Sequence, residues 1–207
     1  FGSSNKINFV INEKNKVKNL KIKSKLNLDE ILINYDASSI KKILPDYKNS
    51  FKLKTNIIEI DYSKNNLKIN SRGLYSINSK YDKFDFNLIK NKNTFNFNSK
   101  ISLDANKVLF EDINYKKKKD LSSTLSFDVS LYENKKIIFE KIKYSENQNS
   151  FNLSNLQLTN NYKIVDLDNL KLEYLNSDNR LNNLNILKKD EKFELVGKNF
   201  DGKMMVK

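Results

Sequence analysis

The sequence predicts an all-β chain, a long antiparallel meander of bulged strands with one short helix. Three observations carry this reading. Apolar residues alternate at period two in segment after segment, the mark of a strand with one buried face. Five segments share a two-three-two apolar spacing: Leu26-Leu28-Ile31-Ile33, Val108-Phe110-Ile113-Tyr115, Ile137-Phe139-Ile142-Tyr144, Phe151-Leu153-Leu156-Leu158 and Val165-Leu167-Leu170-Leu172. The last three copies start fourteen residues apart, at Ile137, Phe151 and Val165, which leaves room for one strand and a short turn. Parallel neighbours need a crossover of about a dozen residues, so consecutive strands pair antiparallel. The extra residue inside each copy would turn every later side chain to the wrong face unless a bulge absorbs it. Bulges or sharp bends are therefore expected near Glu111-Asp112, Glu140-Lys141, Ser154-Asn155 and Asp168-Asn169.

In chain order, alternation begins at Ile7-Phe9-Ile11 and resumes at Leu20-Ile22, and the first bulged copy runs on to Tyr35. A helix of barely two turns follows. Asp36 or Ser38 is placed to cap it, Ile40, Ile43 and Leu44 share one face, and Pro45 ends it. Strands return at Phe51-Leu53, Ile58-Ile60-Tyr62, Leu67-Ile69, Phe84-Phe86-Leu88, Phe95-Phe97 and Ile101-Leu103. Within the repeat zone lies the cleanest alternation, Leu125-Phe127-Val129-Leu131, and Leu181-Leu184-Ile186 and Phe193-Leu195 close the series. Gly (4) and Pro (1) are scarce, so turns fall to Asn, Asp and Lys, at 64–66, 90–93, 116–120, 133–135, 147–149 and 160–161. The lysine run 116–119 reads as a solvated turn. No linker or shift in composition divides residues 1–207, which read as a single segment.

Composition narrows the function. Hydrophobic residues make up 38%, and the mean hydropathy is −0.67, as suits a sheet with one wet face. The net charge of +13 is nearly all lysine, with Arg72 and Arg180 the only arginines. Lys, Asn, Ile, Phe and Tyr share AT-rich codons, which accounts for this bias without a ligand; weak attraction for anionic headgroups or phosphates is the alternative. Guanine-reading contacts favour arginine, so sequence-specific nucleic acid is not expected. With no His and no Cys, triads, thiol nucleophiles and His- or thiolate-bound metals are excluded, and there is no Gly-rich phosphate loop. The carboxylate pairs Glu59/Asp61, Glu111/Asp112 and Asp166/Asp168 alternate with apolar residues or sit at expected bulges, and read as wet-face residues. No catalysis, cofactor or metal is expected. There is no apolar run of about eighteen residues to span a membrane. One short helix is too little to cover the apolar face. Either the sheet closes on itself as a sandwich or barrel, or the face holds something apolar that is not protein.

The serial two-three-two strands, the helix end Ile43-Leu44-Pro45 and the closing Phe193-Glu194-Leu195-Val196-Gly197-Lys198-Asn199-Phe200-Asp201-Gly202 resemble the AsmA-like family, in particular its YhdP/TamB type. The resemblance implies an all-β meander curled into an open apolar groove. It would be one stretch of a longer periplasmic protein of a Gram-negative bacterium, tethered to the inner membrane by a segment outside this chain. Such a groove carries phospholipid between inner and outer membrane, its partners being acyl chains and, through other parts of the parent protein, the two membranes. The lining would comprise Phe84, Phe86, Leu88, Phe95 and Phe97; Val108, Phe110 and Ile113; and Leu125, Phe127, Val129 and Leu131. Ile137, Phe139 and Ile142, then Phe151, Leu153 and Leu156, and finally Val165, Leu167 and Leu170 would continue it. Ile40, Ile43 and Leu44 would form a cover. The alternative is a structural or adhesive β-domain whose core is closed by the sheet itself.

Overall fold

The computed structural model describes residues 1–64, 66–133, 136–190 and 192–200. Asn65, Asn134 and Lys135 of the expected turns, and Asp201-Gly202 of the closing motif, lie outside the described residues. In chain order the elements are β1 (Gly2–Ile11), β2 (Val17–Asn34), α1 (Ser38–Ile43), β3 (Ser50–Ser63), β4 (Asn66–Ser76), β5 (Asp82–Asn91), β6 (Thr94–Ser102), β7 (Val108–Phe110), β8 (Tyr115–Lys117), β9 (Ser123–Tyr132), β10 (Lys136–Glu146), β11 (Asn149–Thr159), β12 (Ile164–Asp166), β13 (Asn169–Leu175), β14 (Leu181–Lys189) and β15 (Lys192–Lys198). Apart from β7 and β8, which pair only with each other, they form one antiparallel sheet. Its order follows the chain from β1 to β15, with β12 hanging off β11. The sheet does not close into a barrel.

Two matched pairs of bulged strands keep the faces in phase. In β10 and β11, Glu140 and Asn155 fall unpaired at the same level, between Phe139↔Leu156 and Lys141↔Ser154, so their mutual register continues unbroken. Against the unbulged β9 the register shifts by one at Glu140. Asp29 and Thr55 fall unpaired together between β2 and β3, and β3 shifts against unbulged β4 between Lys54 and Ile57. Asn155 and Thr55 take positive φ at these points (51° and 50°). β3 thus carries a further two-three-two copy, Phe51-Leu53-Asn56-Ile58, hidden in the sequence because a polar residue holds its third apolar position. Asn56 is buried, and Gly73 on β4 leaves room for it: a methyl on Gly73 would overlap the Asn56 side chain. Asn and Asp take most of the left-handed positions, including Asn15, Asn49, Asn147 and Asn179, and no described glycine does.

Two copies depart from a bulged strand. Val108-Phe110-Ile113-Tyr115 is a hairpin: a single 3-10 turn at Glu111–Ile113 and a left-handed Asn114 (φ 52°) reverse the chain between β7 and β8. Val165-Leu167-Leu170-Leu172 is broken at Leu167-Asp168 into β12 and β13; Val165 is the extra residue against β11 and is 64% exposed. Pairing to both neighbours resumes at Asp168, whose N–H donates to the Ser154 carbonyl and whose carbonyl accepts from Lys188 N–H.

The 103–122 segment, expected as strand and turn, lies on the apolar face. Leu103, Val108, Ile113 and Tyr115 pack against Tyr144, Leu172, Tyr174 and Leu184 to form the core cluster. The lysine run is solvated at Lys116, Lys118 and Lys119 but not at Lys117, which is buried. Tyr115 and Lys117 point the same way from β8, and Lys117 is 1% exposed. Its ammonium donates to the carbonyls of Leu103 (2.8 Å), Asn106 (2.8 Å), Lys118 (3.0 Å) and Asp104 (3.2 Å), which replace the water it gives up. The helix also differs from expectation. Ala37 precedes it with no side-chain cap, α1 abuts β7, Leu44 packs against the core cluster and Ile43 is exposed. The cover over the apolar face is therefore the hairpin, with α1 against its side.

Lys117→Met would keep the stem and delete the ammonium, leaving buried carbonyls unpaired. The variant should lose about 3 kcal/mol of unfolding free energy in urea. An unchanged midpoint would show that the ammonium does not hold the hairpin.

Candidate functional site

Cross-strand register arranges the apolar face into rows running along the sheet, across the strands. One row passes through Leu67, Lys90, Phe95, Leu131, Ile137 and Leu158, and the next through Ile69, Leu88, Phe97, Val129, Phe139 and Leu156. A third holds Phe86, Phe127, Ile142, Leu153 and Leu170, and a fourth Phe84, Ile101, Leu125, Tyr144, Phe151 and Leu172. The hairpin lies on the fourth row: Ile101, Leu125, Tyr144, Phe151 and Leu172 all belong to its core cluster or pack against it, as do Leu170 and Ile186 in the third. The first two rows lie outside that cluster. Rings continue the surface along β5 (Phe84–Phe86, centroids 6.4 Å apart) and between strands (Phe86–Phe97 and Phe97–Phe127, both 5.6 Å).

The chain exposes more surface than a closed globular chain of its mass, while Val129 and Leu158 within the first two rows are buried. A closed globular chain of this mass exposes about 10,000 Å²; this one, of 24.3 kDa, exposes 13935 Å². The opposite face is polar. There Lys23 pairs with Asp61 (3.2 Å) and Lys25 with Glu59 (3.4 Å), so the first carboxylate pair expected on the wet face is placed there. A cavity of ≈ 660 Å³ opens on this polar side near Ile57, Arg72, Leu74, Lys83, Asp85 and Lys100. Asp85 stands in register between Arg72 and Lys100, and with Lys83 the cavity lining is net positive.

The residues expected to line a groove thus divide. Phe86, Leu88, Phe95, Phe97, Phe127, Val129, Leu131, Ile137, Phe139, Ile142, Leu153 and Leu156 share the sheet face outside the hairpin's core cluster. Phe84 shares a row with residues under the hairpin, while Leu125, Phe151 and Leu170 pack against its cluster. Val108, Phe110 and Ile113 belong to the hairpin, and Val165 and Leu167 to the broken region. Sequence reasoning missed the charged residues on this face. Asp82 is in register with Tyr75 and Glu146 with Ser123, both toward the hairpin; Lys90 and Lys188 stand in register with Phe95 and Phe193, toward the opposite rim. The period-two parity of each strand, carried through its register, is the signal that would have found them.

Both carboxylates bind the hairpin or its partners. Asp82 accepts from Ala105 N–H (3.1 Å) and Asn106 Nδ2 (2.7 Å), and burial pushes its pKa up against the pull of those bonds. Tyr115 donates to Glu146, and its hydroxyl lies 2.9 Å from that of Tyr144. Tyr174 donates to the Ile113 carbonyl (2.8 Å). Among the described residues no group of His, Cys, Asp and Glu is placed to hold a metal ion, and no helix is long and apolar enough to cross a membrane.

Burial raises the pKa of Tyr144 to about 12 and pushes Tyr115 higher still. An unfolded tyrosine ionises near 10, so above that pH the unfolded chain releases protons that the fold retains. The stabilisation is complete below about pH 10 and is lost as pH rises toward 12. An alkaline titration should show exposed tyrosines ionising first and the buried ones only as the hairpin core opens. Ionisation of all tyrosines in one step near pH 10 would contradict the buried network.

The chain matches no protein-family model, no curated protein and no solved structure.

Proposed function

We propose that this chain is a non-catalytic segment of a groove that holds phospholipid acyl chains and passes them along its length. The observation that carries the reading is the pair of apolar rows lying outside the hairpin's core cluster and crossing many strands. Burying a methylene is worth about 0.8 kcal/mol against water, so a sixteen-carbon chain gains roughly 12 kcal/mol on such a surface. It gains a similar amount in a bilayer, so transfer between membrane and groove is close to neutral. That balance suits a conduit better than a store. The resemblance to the AsmA-like family adds the setting: the periplasm of a Gram-negative bacterium, between an inner membrane to which the parent protein is tethered and an outer membrane it supplies. A structural or adhesive domain with a self-closed core is the second reading, and the hairpin filling one side of the face is what favours it.

Native mass spectrometry of the chain extracted under mild conditions should find bound phospholipid. Phe97→Asp combined with Phe139→Asp should abolish that load. Carboxylates on an open face stay hydrated, so unfolding free energy should fall by less than about 2 kcal/mol, whereas a closed core would lose several. Wild-type protein without lipid, or an undiminished load on the folded variant, would overturn the conduit. Outright unfolding of the variant would point to the self-closed core.

A further inference from the structure

We infer that Lys90 receives the phosphate of an anionic phospholipid, fixing which way the lipid lies on the apolar face; this deepens the groove reading and rests on it. Lys90 sits in the outermost apolar row, directly opposite Leu67 on one side and Phe95 on the other. Its ammonium lies 4.8 Å from the Phe95 ring centroid, held over apolar surface rather than turned to the polar side. Among the described residues it makes no salt bridge, whereas Lys188 at the same rim is paired with Asp166 at 2.7 Å. At the hairpin side Asp82 and Glu146 are taken up by hydrogen bonds, and the Lys117 ammonium is buried among carbonyls, so no cation there is open to a ligand. A negative headgroup is therefore favoured at the Lys90 rim and disfavoured at the hairpin.

The dimensions agree. From Lys90 back along β5 to Phe84 is about 20 Å of strand, and one leaflet of bilayer hydrocarbon is about 15 Å deep. An acyl chain anchored at Lys90 would lie over Leu88 and Phe86 and end at the hairpin. Strands about 4.8 Å apart place Phe97 and Phe127 beside that track for a second chain, which argues for a two-chain phospholipid over a single-chain fatty acid.

The test is uptake from phosphatidylcholine vesicles carrying trace fluorescent phosphatidylglycerol, diacylglycerol with the same chains, or laurate. Wild-type protein should take phosphatidylglycerol about tenfold better than diacylglycerol, as one charge-assisted hydrogen bond allows. Lys90→Gln should erase that preference and Lys90→Glu reverse it, read as the ratio of phosphatidylglycerol to diacylglycerol uptake by each protein. An unaltered preference in Lys90→Glu overturns this inference while leaving the groove intact. Laurate taken up as well as phosphatidylglycerol, with the same dependence on Lys90, overturns the two-chain ligand. Failure of wild type to take up any of the three overturns the groove itself.

Discussion

A single layer of sheet can desolvate an apolar face only if every strand presents its apolar side chains to that face, and this constraint of phase governs the molecule. Side chains alternate strictly, so one uncompensated insertion would put leucines into water and lysines onto the core. Two pairs of insertions come in matched neighbours, whereas Val165 and the shift between β1 and β2 have no matching insertion. Glu140 meets Asn155 and Asp29 meets Thr55, each pair resetting parity on two strands at once. The registers outside these points then carry the apolar rows from β4 to β11 without loss of phase.

An in-phase single layer still leaves its apolar face bare, and the chain solves half of that problem. The segment between β6 and β9 folds back over one side, bringing Val108, Ile113 and Tyr115 against β10, β13 and β14. Its backbone is short of partners because it belongs to no large sheet, and buried side chains supply them. Lys117 satisfies a ring of carbonyls, Tyr174 takes that of Ile113, and Asp82 receives Ala105 N–H. Charge inside this core is thus a consequence of irregular backbone: Lys117, Tyr174 and Asp82 answer backbone groups that regular pairing would have answered elsewhere.

The other half stays open, and the distribution of charge across it is orderly. Asp82 and Glu146 on the apolar face stand where the hairpin needs acceptors, Lys117 is buried in the hairpin itself, and Lys90 and Lys188 stand at the opposite rim. A ligand with an apolar body and an anionic end fits such a surface in one orientation. Acyl chains of a phospholipid, proposed here as cargo, would complete the desolvation that the hairpin begins, with no chemistry asked of any side chain.

Particular elements show how far the sequence reached. The two-three-two spacing determined the all-β class, antiparallel neighbours and the bulges at Glu140 and Asn155, because strand parity is local and period two is readable from residue order. It misled at Val108-Phe110-Ile113-Tyr115, where the same spacing is served by a turn through Asn114: bulge and hairpin both absorb one extra residue, and local pattern cannot separate them. It overlooked the copy in β3 because Asn56 replaces an apolar residue, a substitution made possible only by Gly73 on the neighbouring strand. Lys117 in a lysine run is indistinguishable from its exposed neighbours until the carbonyls of residues 103–106 are folded around it. The sequence by itself determined which side of each strand is apolar. Only tertiary structure decided which part of that face the chain covers and where its few charges stand, since both depend on register between residues far apart in the chain.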